Sequence, residues 1–189
     1  MQNPTQNIYK KIDEFTKKIS SNLDLKKDDF FLVNFTQISE VCDMPNGVPS
    51  VMLTPDDLAL INNGIIDKNK HFKLIPTVVI NDCFQFQSDL QLLGIISHEL
   101  RHTWQYYNMY RAKEEFKVHT NPETPEYYNK QTEKDAYAFQ LLVINTVSPS
   151  STIDEIFTYF KNMKATLFRL NRNYKKKIKA KFKEWNYNE

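Results

Sequence analysis

The sequence predicts an α+β fold in which several helices pack on a modest mixed sheet of three or four strands. Two short β-branched and aromatic runs, residues 31–38 and 72–82, read as strands. Three longer segments, about 5–20, 88–110 and 126–146, repeat their apolar residues at helical spacing. Hydrophobic residues make up 41% of the 189 and aromatics 13%, enough to fill one core. The expectation is a single domain over 1–189, with its core at about 30–147.

The elements follow in order. Ile8, Ile12, Phe15 and Ile19 recur at helical spacing with Lys and Asp between them, so the first helix covers a core with one face. FLVNFTQI, residues 31–38, partly alternates and reads as a strand. Met44, Pro45, Asn46 and Gly47 then form a turn-rich stretch that is expected to carry a hairpin. Thr54 offers a capping hydroxyl, Pro55 suits the first helical position, Asp56 and Asp57 complement the helix dipole, and Gly64 stands at a plausible end. A short helix fits between them. FKLIPTVVIND, residues 72–82, is a strand in which Pro76 has no N–H to give. That places at least its side of the strand at a sheet edge, where an extended peptide could pair.

Ser88 caps the next helix with Gln91 as the partner three positions on, and the pattern runs to about Tyr110. A loop containing NPETP, residues 121–125, precedes the helical stretch 126–146. Thr152 and Glu155 form a capping pair for one or two helices in an extension over about 151–186.

Composition narrows the class. A quarter of the residues are charged, with a net charge of +2, and Gly and Pro are scarce, which argues against wholesale disorder. The N-terminal MQNPTQNIYKKIDEF lacks the apolar core of a secretory signal, and the aliphatic run Leu92–Ile96 is far too short to span a bilayer. No transmembrane segment and a cytoplasmic location are expected. Cys42 and Cys83 are the two cysteines, without C-x-x-C spacing, and read as free thiols. Basic charge gathers at the C-terminal end, in Arg169, Arg172, Lys175, Lys176, Lys177, Lys179, Lys181 and Lys183. Tyr174, Ile178, Phe182 and Trp185 run through it as an apolar stripe, so a solvated amphipathic helix accounts for the pattern. Contact with nucleic acid or an anionic surface is the sharper alternative.

The chemistry concentrates at residues 98–102, His-Glu-Leu-Arg-His, inside the helix that Ser88 begins. Positions four apart on a helix differ by about 40°, so His98 and His102 leave one face and can bind one cation. Glu99 sits beside that face. Zinc is held by neutral imidazoles and carboxylates in a four-coordinate site, and a catalytic site keeps one position for water. One zinc ion is therefore expected, and a third protein ligand is needed. Two imidazoles and a carboxylate also suit iron, cobalt or manganese.

Glu114 and Glu115 lie 12 and 13 residues beyond His102, about 18 Å along a continued helix, and are out of reach. Glu133 and Asp135 lie on the next long helix, rotated about 200° from each other, so only one can face the metal. Glu133 is preferred because Ala136 on its face permits close helix approach, as Gly94 does one turn before His98. Asp135 is the alternative.

At this point the chain resembles the zincin metallopeptidases of the gluzincin group, whose third ligand is a Glu on a helix downstream of H-E-x-x-H. SHELRHTWQ with the later EKDAYAF is also similar to small bacterial and phage zinc-peptidase-like proteins of the ImmA/IrrE type. The resemblance covers roughly Leu74 to Ile144. It implies a zincin-like domain with an edge strand that binds substrate, an active-site helix and a glutamate helix. His98, His102 and Glu133 carry over as ligands and Glu99 as general base. Two departures stand out. Tyr137 occupies the position where an Asp often supports a ligand His, and Gln105 and Asn108 stand where a metzincin would need a third His.

The expected function is zinc-dependent hydrolysis of peptide bonds in a peptide or protein substrate. Glu99 takes a proton from the attacking water and passes it to the leaving amine. His119, Tyr137, Tyr127 or Tyr128 could stabilise the oxyanion. The alternative is a regulatory or binding protein of ImmA/IrrE type that keeps the zinc site with little or very restricted cleavage.

Overall fold

The computed structural model describes residues 4–28, 30–42, 47–64, 71–86, 88–117, 126–127 and 130–147. The C-terminal extension with its basic residues, His119, Tyr128 and the NPETP loop lie outside them. The chain divides into two compact units between Asn108 and Met109.

In the first unit, helix α1 spans Pro4–Asn22. Ile12, Thr16, Ile19 and Ser20 form its buried face, and it packs on the long helix α3, Asp89–Asn108. The helix ends in a Schellman turn: Leu25 N–H bonds the Ser20 carbonyl at 2.9 Å and Asp24 N–H the Ser21 carbonyl at 3.3 Å. Asp24 takes φ 53°, a left-handed conformation that a short polar side chain tolerates.

The sheet has three strands among the described residues: β1 (Leu32–Thr36), β2 (Ser50–Leu53) and β3 (Thr77–Asn81), in the order β1-β3-β2. β1 runs parallel to β3 and β2 antiparallel to it, so the sheet is mixed, within a fold that is α+β. Two expectations are corrected here. β1 and β2 do not form a hairpin, because β3 lies between them. The strand containing the 77–81 run is central rather than an edge, with all five residues buried. Pro76 is compatible with this because it precedes the ladder: it needs no N–H there, and its carbonyl accepts the Leu32 N–H at 3.0 Å.

Side-chain alternation along β3 sorts the two faces. Val79 joins Ile38, Val41, Leu53 and Leu58 in one core cluster, beneath helix α2 (Pro55–Gly64) and the short 3-10 turn Ile38–Glu40. Val78 and Ile80 therefore face the other way, with their cross-strand partners Met52 and Ser50, and α3 packs against β2 and β3. α2 starts as expected. Thr54 Oγ1 accepts the Asp57 N–H at 3.2 Å, and Asp57 Oδ2 accepts the Thr54 N–H at 2.8 Å. Buried Asn81 ties the entry of β2 to the end of β3: its N–H bonds the Pro49 carbonyl at 2.9 Å and its Nδ2 the Val48 carbonyl at 2.8 Å.

The second unit contains α4, Tyr110–Lys117, and α5, Gln131–Val147, which pack on each other. Of the helical stretch expected over 126–146, residues 126–127 are helical and α5 runs from Gln131, a start that Glu115 explains. Its carboxylate accepts the Thr132 N–H and hydroxyl, both at 2.9 Å, and the Gln131 N–H at 3.4 Å. A negative group on first-turn donors caps the helix and complements its dipole. Glu115→Ala is expected to lower stability by about 1–2 kcal/mol, read as a reduced urea midpoint.

Candidate metal centre

α3 begins where Ser88 Oγ accepts the Gln91 N–H at 3.2 Å. From Gln91 to Leu100 every residue of the helix is buried. Along such a helix, polar side chains need partners inside the protein. Ser97 and Thr103 find theirs on the helix itself, donating to the Leu93 and Glu99 carbonyls. His98, Glu99 and His102 are buried as well, at 8%, 7% and 5% exposure.

One turn apart, the two imidazoles converge: His98 Nε2 and His102 Nε2 are 3.0 Å apart. Two bonds of 2.0–2.1 Å at a tetrahedral angle would set their nitrogens about 3.3 Å apart. The pair is therefore already close to the separation that one cation requires. On the far side of the His102 ring, Nδ1 lies 2.9 Å from Gln105 Oε1. A carbonyl oxygen has no proton to give, so Nδ1 donates and the neutral ring keeps its lone pair on Nε2, directed at His98. That is how an outer partner fixes the tautomer of a metal-binding His.

Three buried residues, His98, His102 and Glu133, each offer one ligand atom, and the three atoms lie within 4.8 Å of one another. The group could hold a metal ion. Asp135, the alternative third ligand, is also buried but is not part of this group. Within its own unit, Glu133 sits in the first turn of α5 near Lys130. Burial draws the Lys130 ammonium below its usual range, while the Glu133 and Glu115 carboxylates pull it back up.

Glu99 meets the sheet: Ser50 Oγ donates to Glu99 Oε1 at 2.7 Å. Ser50 lies on β2 opposite Ile80, on the α3 side of the sheet. Of the four oxyanion candidates, Tyr127 and Tyr137 are half-buried in the second unit, and His119 and Tyr128 lie outside the described residues.

Sequence reasoning missed two participants. Gln105 was legible, since it follows His102 by three positions on the same helix and so lies one turn on. Ser50 carried no local signal, being 49 residues from its partner. Gln105→Leu is expected to weaken zinc binding about 10- to 100-fold, measured by competition with a chromogenic chelator. Unchanged affinity would remove Gln105 from the support of His102.

Among the described residues no helix is long and apolar enough to cross a membrane. Comparison of the chain with protein-family models, with curated proteins and with solved structures finds no match.

Proposed function

We propose that this protein is a zinc-dependent metallopeptidase with a zincin-like arrangement of the gluzincin kind. The observation that carries the reading is the gathering of three buried donors, His98, His102 and Glu133, with the carboxylate of Glu99 next to the first of them in the chain. Two nitrogens and one oxygen are a donor set that zinc accepts while leaving a fourth position for a small ligand. A purely structural zinc site would be closed by a fourth protein donor, and it would give Glu99 no task.

His98, His102 and Glu133 would hold the ion. When bound, it supplies Lewis acidity, polarising a carbonyl and making water easier to deprotonate. The remaining steps belong to the chain. Glu99 accepts the proton of the attacking water and returns it to the amine that leaves, so each turnover restores the carboxylate. Ser50 and Gln105 fix the groups they touch, and burial around α3 keeps bulk water from competing for the proton.

The test is incubation of the purified, zinc-loaded protein with a broad peptide library, with cleavage products read by mass spectrometry. The chelator-treated protein and Glu99→Gln serve as controls. Hydrolysis that both controls abolish supports the reading. A protein that carries zinc yet cleaves nothing favours the regulatory or binding role instead.

A further inference from the structure

We infer that Ser50 is a positioning residue for the general base: its hydroxyl fixes the Glu99 carboxylate in the orientation that proton transfer needs. The inference rests on the peptidase reading above and adds to it a residue from the sheet, outside the H-E-x-x-H helix.

Three observations support it. The hydrogen bond from Ser50 Oγ to Glu99 Oε1 is 2.7 Å long, a close and well-formed O–H···O contact. Both side chains are buried, so water competes poorly for either end. The donor is also held rigidly. Ser50 pairs with Ile80 on the central strand, and Asn81 ties down the two residues before it through the Val48 and Pro49 carbonyls. A carboxylate on a helix has several rotamers open to it, and a fixed hydroxyl on one oxygen selects among them. The other oxygen is left for the water. A base that must wait for its own rotamer loses turnover rather than affinity, because the substrate's binding contacts are untouched.

Ser50→Val and Ser50→Thr form the decisive pair, being alike in shape and differing in the hydroxyl. Both suit a strand, and Ser50→Ala guards against a misfit of the larger side chains. Each is compared with wild type in zinc content, steady-state kinetics and the isotope-edited infrared band of the Glu99 carboxylate, assigned by subtracting Glu99→Gln. The expected result is full zinc content in all three. For Val and Ala, kcat falls on the order of 10- to 100-fold with KM within about twofold, and the carboxylate band shifts. Thr keeps most of the wild-type rate and the wild-type band. If wild type is active, Glu99→Gln is dead and Val matches wild type, the inference about Ser50 fails while the peptidase reading stands. Loss of zinc or of folding in Val and Ala alike makes Ser50 structural and overturns the inference too. A wild type without hydrolysis that Glu99→Gln removes overturns the peptidase reading, and with it any base for Ser50 to position.

Discussion

Glu99→Gln is expected to retain zinc and fold while lowering kcat/KM about 100- to 10,000-fold, the usual contribution of a general acid–base group. In activation free energy that is about 3–5 kcal/mol. The substitution is nearly isosteric, and the Gln carbonyl oxygen can still accept the Ser50 hydroxyl that meets Glu99 Oε1 at 2.7 Å. Burial around α3 is preserved, so the thermal unfolding midpoint should stay close to that of wild type. What the amide lacks is any basicity toward water. Kinetics on a cleaved peptide, run beside metal analysis and circular dichroism, separate these contributions. Undiminished turnover in a zinc-loaded Glu99→Gln protein would take the carboxylate out of the reaction.

The second large effect is on metal content. Wild type is expected to hold one zinc per chain, and His98→Ala, His102→Ala or Glu133→Ala each to lose most of it, since each removes one of three protein donors. Asp135→Ala should keep its zinc, although Asp135 is as deeply buried as Glu133, with both at 4% exposure. Comparing two equally buried acids two residues apart separates ligation from the general cost of disturbing α5. Stability should follow the same pattern, because a ligand bound to the native state adds about 2.7 kcal/mol at a hundred times its dissociation constant. Zinc should therefore raise the melting temperature of wild type and of Asp135→Ala and leave the three ligand variants unmoved. Retention of stoichiometric zinc by Glu133→Ala would assign the third position to another residue.

Much of this centre was legible in local spacing. A spacing of four positions between imidazoles on a capped helix guarantees a shared face, and the 200° separation of Glu133 from Asp135 made the choice between them a matter of phase. The caps at Thr54 and Ser88 were likewise local, because a hydroxyl three residues before the N–H that donates to it needs no tertiary information. The sheet order was not legible in the same way. Pro76 drew attention to an edge, yet the five residues after it, Thr-Val-Val-Ile-Asn, are buried on both faces, as in a strand flanked on both sides. The contact between Ser50 and Glu99 joins residues 49 apart, and its existence depends on which residue of β2 opposes Ile80. Hydrophobic pattern alone does not specify that pairing for a strand as short as four residues.

The double anchorage of Asn81 carries a consequence for how such a centre tolerates change. Sliding β2 by a single position along its neighbour would turn every side chain over, presenting Val51 to the helix where a hydroxyl now stands. The Asn81 side-chain amide on the Val48 carbonyl and its backbone N–H on the Pro49 carbonyl oppose this shift. Insertions ahead of the strand are thus harmless to the chemistry when they bulge outward before Val48, and ruinous when they are absorbed within the pairing.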